Sequence, residues 1–290
     1  METYLLVAID GTSSRDFGYS GGNSEELKIC AFNESHTKAF HRKMEIPGTL
    51  KYFDHGPSSK VTGSDCEEIE QKPWQWLRAH LRRFPRARVV LVGHSRGGHI
   101  VTNLAIRLSK LREGDFVEKI GPSPAVPSWR VPPDFLGRGK IEPLPPVQTV
   151  YFLGLYDAVD MTYALGDTSV VPANVVWFYH ALRSERIASR KAWGNTATQT
   201  ARIDKEHYFQ QPFEATHGAI GGAFPEDCRG TLNRDLVIGA IALGVVGYKA
   251  AANVVGSCAV PLTAKENAAK GASAHEWLLG GARQAGLPIK

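Results

Sequence analysis

Apolar residues along this chain fall into two kinds of run. Short unbroken runs predict buried parallel strands at 4–9 (Tyr-Leu-Leu-Val-Ala-Ile), 89–92, 147–156 and 174–180. A last strand is expected at 207–213, and a short strand and turn at 51–56. Longer stretches place apolar residues every three or four positions. Trp74, Leu77 and Leu81 mark a helix over 66–84, interrupted by Pro73 and stopped by Pro85. Ile100, Leu104, Leu108 and Leu111 mark another that starts directly after the 89–92 strand. The C-terminal part, 233–290, reads as helices over 233–255 and 264–285. Strands alternating with helices predict one α/β domain over 1–290, with a mainly parallel central sheet flanked by helices. Residues 15–65, rich in Gly, Ser and Asn, otherwise read as irregular. Eight of the 17 prolines lie in 121–146, which excludes regular helix and central strand there. The excursion 112–146 is therefore expected to be a cap or lid within the one domain, because the α/β pattern resumes after it.

The junction of the 89–92 strand with its helix carries the sharpest signal. It reads Gly93-His94-Ser95-Arg96-Gly97, a G-x-S-x-G between strand and helix. With Gly at a tenth of the chain, the bare motif arises by chance roughly 0.2 times in this length, so the context supplies the specificity. Strand, tight turn and helix make the motif a nucleophile elbow. Gly93 and Gly97 are needed because side chains there would strike the neighbouring strand and helix. The helix N-terminus brings the Arg96 N–H and a positive dipole end to Ser95.

A serine hydroxyl is a poor nucleophile at neutral pH and needs an imidazole base oriented by an acid. On an α/β-hydrolase sheet these follow in the order Ser, Asp/Glu, His, on loops after strands. Ser95, Asp157 after the 147–156 strand and His217 in a Gly-rich loop fit that order. Asp160 is the rival acid and His180, at the end of a strand, the rival base. His94, His99 and His275 read as packing or polar contacts. The loop after the first strand, Asp10-Gly11-Thr12, is the candidate second oxyanion donor through Gly11 or Thr12.

Composition narrows this reading only slightly. With 43% hydrophobic and 22% charged residues the chain is an ordinary globular one. A net charge of +5, with no basic tract interleaved with aromatics, gives no nucleic-acid partner. Arg78, Arg82, Arg83, Arg86 and Arg88 read as a solvated face, with weak attraction for an anionic membrane surface as the alternative. Cys30, Cys66, Cys228 and Cys258 fit neither a C-x-x-C site nor a disulfide framework, so free thiols in a reducing compartment are expected. The first residues lack the basic region and cleavage site of a signal peptide. The apolar run 236–247 falls short of a membrane span. A cytoplasmic protein, or one exported by a dedicated secretion system without a signal peptide, is the expectation. The triad requires no metal or cofactor, although Asp10, Asp54 and Asp160 are candidate cation ligands.

These motifs together resemble an α/β-hydrolase domain family of bacteria and fungi that includes type VI secretion phospholipase effectors. That family's F-D-G-T, G-F-S-R-G-A and F-L-G-V-F-D-T-V segments match Ile9-Asp10-Gly11-Thr12, Gly93-His94-Ser95-Arg96-Gly97-Gly98 and 152–159. Its H-A-L with a following E-R matches His180-Ala181-Leu182 and Glu185-Arg186. Its G-V-H-S-D-V-G-G loop matches at His217 and at Gly221-Gly222, and its last helix at Trp277, Ala282 and Gly286-Leu287. The family's Ser-Asp after the histidine is Gly218-Ala219 here, so the substrate is expected to differ if that Asp contacts it. The resemblance implies a serine hydrolase of carboxylic esters, lipid and phospholipid esters included, with Ser95 as nucleophile, Asp157 as acid and His217 as base. The alternatives are an amidase or thioesterase with the same triad, and a binding protein that keeps the fold.

Overall fold

A computed structural model describes residues 2–11, 34–57, 65–111, 148–159, 165–187, 194–222 and 262–290. The proline-rich cap expected at 112–146, the apolar helix expected at 233–255, Thr12, Asp160, Cys30, Cys228 and Cys258 lie outside the described residues.

Among the described residues the main sheet has six strands: β1 (Tyr4–Ile9), β2 (Thr49–Asp54), β3 (Arg88–His94), β4 (Val150–Tyr156), β6 (Val175–Arg183) and β8 (Tyr208–Phe213). Their spatial order is β2-β1-β3-β4-β6-β8, and every pairing is parallel. A second small sheet pairs β5 (Val170–Val171) with β7 (Gln199–Thr200). Successive side chains of a strand point to opposite faces, so each central strand feeds two cores. Leu5, Val7, Ile9, Val89 and Leu91 face α2 (Cys66–Arg83) and α3 (Arg96–Ser109), meeting Trp74, Leu77, Leu81, Ile100 and Leu104. Leu6, Val90, Val92 and Phe152 face α1 (His36–Lys43), α4 (His217–Ile220) and α5 (Ala264–Gln284), meeting Phe40, Ile220, Leu278 and Leu279. Each fully buried Leu or Val contributes roughly 1.5–3 kcal/mol of apolar transfer, so both faces are needed. This is an α/β fold with helices on both sides of a parallel sheet.

The structure departs from the sequence expectation at α4, β5 and β7, which the sequence does not mark, and at three further elements. Residues 36–43, expected to be irregular, form α1. Ser35 caps it by accepting from the Lys38 N–H, and Phe40 and Ala39 are buried. Pro73 does not interrupt α2, which runs through it. A mid-helix proline removes one hydrogen bond, and burial of Pro73, Trp74, Leu77 and Leu81 against the sheet outweighs that loss. Strand β6 runs three residues past the expected end at His180, to Arg183.

The strand order changes direction between β1 and β3, and open α/β sheets bind ligands at the carboxyl ends of the strands at such a point. The register sets what meets there. Ile9 pairs with Gly93, and His94 pairs with Tyr156. Tyr156 pairs with Ala181, and Arg183 pairs with Phe213. The residues just beyond each strand end, Gly11, Ser95, Asp157 and the segment leading to His217, therefore line one rim of the sheet.

The elbow glycines are fixed by contact. A Cβ on Gly97 would sit 2.3 Å from the Ile9 carbonyl oxygen, and one on Gly93 would sit 2.5 Å from the Gly97 carbonyl oxygen. Gly280, exposed in α5, has nothing within 4 Å of that position. Gly97→Ala is expected to lose about 1–3 kcal/mol through overpacking. Gly280→Ala is expected to gain about 0.8–1 kcal/mol through helix propensity. Urea unfolding midpoints check this contrast, which fails if the two variants shift the same way.

Candidate active site

The site begins with a strained residue. Ser95 joins β3 to α3 at φ 56° and ψ −127°, a conformation that costs a non-glycine residue about 1–3 kcal/mol. The surroundings hold it there. Its N–H donates to the Tyr156 carbonyl at 3.1 Å, and its own carbonyl accepts from Gly98 at 3.0 Å and from Val159 at 3.2 Å. Arg96, the first residue of α3, is wholly buried.

Ser95, His217 and Asp157 form one chain of hydrogen bonds. The Ser95 Oγ lies 2.8 Å from His217 Nε2, and His217 Nδ1 donates to Asp157 Oδ2 at 2.7 Å. All three residues are almost completely buried. His217 opens the short helix α4, whose N-cap Thr216 accepts from the Ala219 N–H. Asn267 of α5 clamps Thr216, accepting from its N–H and donating to its hydroxyl, both at 2.8 Å.

Asp157 is held as tightly. It sits at φ 41°, and its N–H donates to the Ala181 carbonyl at 2.7 Å. Its Oδ1 accepts from Asn195 Nδ2 at 2.7 Å and from the Arg183 N–H at 3.2 Å. Its Oδ2 accepts from Arg183 Nη1 at 2.6 Å as well as from His217. Burial alone would raise its pKa. The His217 hydrogen bond, the Arg183 charge and the Asn195 amide outweigh burial and hold the carboxyl well below the usual carboxylate range.

Of the rivals weighed from sequence, His180 is brought beside Asp157 but does not face Ser95. Its Nε2 accepts from the Ala158 N–H at 3.1 Å, which fixes the backbone just after Asp157. His94 lies against His217, with ring centroids 4.8 Å apart, and its Nε2 donates to the His217 carbonyl at 3.2 Å. His99 shares a hydrogen bond with Thr168, and His275 shares one with the Tyr156 hydroxyl.

Gly11, the candidate oxyanion donor after β1, adjoins Ser95. A Cβ there would sit 2.9 Å from Ser95 Cβ and 2.7 Å from His94 Nδ1. Asp10 before it accepts from the Ser35 hydroxyl at 2.8 Å, and burial pushes its pKa up to about 7. Asp54 Oδ1 accepts from the Gly56 N–H. Among the described residues no group of three or more His, Cys, Asp or Glu is arranged to hold a metal ion. Burial pushes the Cys66 thiol up to about 12, partly opposed by the Arg96 charge, which leaves it unreactive near neutral pH. Among the described residues no helix is long and apolar enough to cross a membrane.

Arg183 and Asn195, the two side chains that complete the Asp157 shell, were not singled out in the sequence. Arg183 had a readable signal: a charged residue near the end of a strand beside the one that precedes Asp157. Asn195 had none, because no hydrophobic period or motif surrounds it in the sequence.

No protein-family model matches the chain, and no curated protein matches it in sequence. Among solved structures it is similar to one described as the Tle1 effector bound to the VgrG spike from the type 6 secretion system, at 12% identity. The match covers 99% of this chain and 74% of that chain, with a TM-score of 0.49. At that identity and score no residue role transfers from one chain to the other.

Burial lowers the His180 pKa to about 4, partly opposed by the Asp157 charge. The ring is therefore neutral in the folded chain, whereas in the unfolded chain it takes a proton near 6.5. The stability this lends is complete above about 6.5 and is lost as pH falls toward 4. Replacing it with a group that never ionises should remove about 2 kcal/mol of the stability lost between pH 7 and pH 5. Urea unfolding of His180→Gln and the wild type at the two pH values checks this. Equal losses would show that the ring takes up its proton as readily in the folded chain as in the unfolded one.

Proposed function

We propose that the protein is a serine hydrolase of carboxylic esters, with Ser95 as nucleophile, His217 as general base and Asp157 as the acid that orients it. One observation carries the reading: the unbroken Ser95–His217–Asp157 hydrogen-bond chain, mounted on a strained elbow at the carboxyl rim of a parallel sheet.

The chemistry follows from the geometry. Ser95 Oγ attacks the ester carbonyl carbon while its proton passes to His217 Nε2. Asp157 fixes the tautomer by accepting from Nδ1 and stabilises the imidazolium. The tetrahedral oxyanion is held by the Arg96 N–H at the start of α3 and by the Gly11 backbone, which lies against Ser95. His217 returns its proton to the departing alcohol and leaves an acyl group on Ser95. It then takes a proton from water, whose attack releases the acid and restores the serine. The sequence resemblance to a family with phospholipase members puts lipid and phospholipid esters among the substrates to test, with short soluble esters beside them.

Hydrolysis of p-nitrophenyl esters from acetate to palmitate, with a phospholipid alongside, tests the reading. Ser95→Ala is expected to lower turnover by about 10³-fold or more while leaving the unfolding midpoint near that of the wild type. Equal turnover in the two proteins would assign the activity to other residues.

A further inference from the structure

Asp157 does not serve His217 alone. Its Oδ2, the oxygen that accepts from His217 Nδ1, also accepts from Arg183 Nη1 at 2.6 Å. Arg183 holds Oδ1 as well, through its own backbone N–H. The Arg183 side chain is 5% exposed and that of Asp157 is fully buried, so the pair is screened little by salt. In a Ser–His–Asp chain the acid has two duties: it orients the imidazole, and it stabilises the imidazolium that forms when the base takes a proton. A guanidinium on the same carboxylate oxygen strengthens the first duty and opposes the second. The carboxylate is locked in place, but its charge is largely neutralised where the imidazolium would need it.

We propose that Arg183 is a positioning residue that holds Asp157 and weakens His217 as a base, so that the site keeps an unprotonated imidazole further into acid than it would without the arginine. The proposal rests on the serine-hydrolase reading above. The other titratable groups around His217 do not supply this effect. His180 beside Asp157, and His36, which donates from Nδ1 to the Ile220 carbonyl of α4, are both held down to about 4 by burial and stay neutral. His275, stacked on His36, is held lower still, at about 2, chiefly by burial. His94 packs on the His217 ring. Glu214 and Lys270, on the side of α5, pair with each other at 2.9 Å. The Arg96 charge acts on Cys66. Arg183 is the cation that shares the Asp157 oxygen with His217.

The rate at which a fluorophosphonate probe labels Ser95, followed from pH 4 to pH 9, tests the proposal. Ser95 Oγ displaces fluoride from phosphorus as His217 takes the serine proton, so the rate tracks the unprotonated imidazole. Ser95→Ala serves as the blank. Arg183→Met is expected to move the acid limb upward by about one pH unit or more. Arg183→Lys, which keeps the charge, is expected to stay close to the wild type. A merely structural arginine would lower the rate at every pH and leave the midpoint in place, and that result overturns the proposal. If Arg183→Met does not fold, Arg183→Gln, which removes the charge and keeps a hydrogen-bond donor, takes its place, and a midpoint equal to that of the wild type overturns the proposal. A wild type that does not label at Ser95 removes the hydrolase reading instead, and this proposal with it.

Discussion

One carboxylate ties the rim of this sheet together. Asp157 follows β4 and binds the end of β6 through Arg183, the 194–197 segment through Asn195, and α4 through His217. All four donors converge on a group with no exposed surface. A buried carboxylate with fewer donors would be costly, and losing one partner of a buried ion pair typically costs 3–5 kcal/mol. The cluster is thus over-determined, which lets Asp157 and Ser95 both remain at positive φ. The strain at these two positions is carried by the hydrogen bonds around them, including those that link the Ser95 N–H to the Tyr156 carbonyl and the Val159 N–H to the Ser95 carbonyl.

The same network explains the division of labour among the histidines. His217 is placed between an acid and a hydroxyl. His180, one strand away, has its Nε2 committed to a backbone N–H. His36 and His275 stack within the core on the α1 and α5 side. Of these four, His217 is the one with both ring nitrogens directed at groups able to exchange protons with it. A hydrophobic surround keeps the others neutral and turns them into shape-filling hydrogen-bond partners.

Much of this was legible in the sequence because it depends on local patterns. Unbroken apolar runs marked β1, β3, β4 and most of β6, since both faces of a parallel strand are buried. The G-x-S-x-G between strand and helix marked the elbow because sterics at Gly93 and Gly97 leave no alternative there. Asp157 and His217 were readable from chain order. Arg183 is hidden because the strand pattern gives no mark of β6 beyond His180, and its continuation is set by the register with β8 as far as Phe213. The short helix α1 was missed because its polar surface hid a capping serine and two apolar contacts inside a Gly/Ser-rich stretch. Asn195 reaches Asp157 through tertiary placement alone, which no local pattern encodes.

On the proposed mechanism Ser95 carries the acyl group of an ester during turnover. Mixing the protein with a p-nitrophenyl ester, quenching in acid within the first turnover and mapping the modified peptide by mass spectrometry tests this. One acyl group per chain, on Ser95, formed together with the first equivalent of p-nitrophenol, is the expected result. Ester turnover with Ser95 unmodified at every quench time, or with the acyl group on another residue, would contradict it.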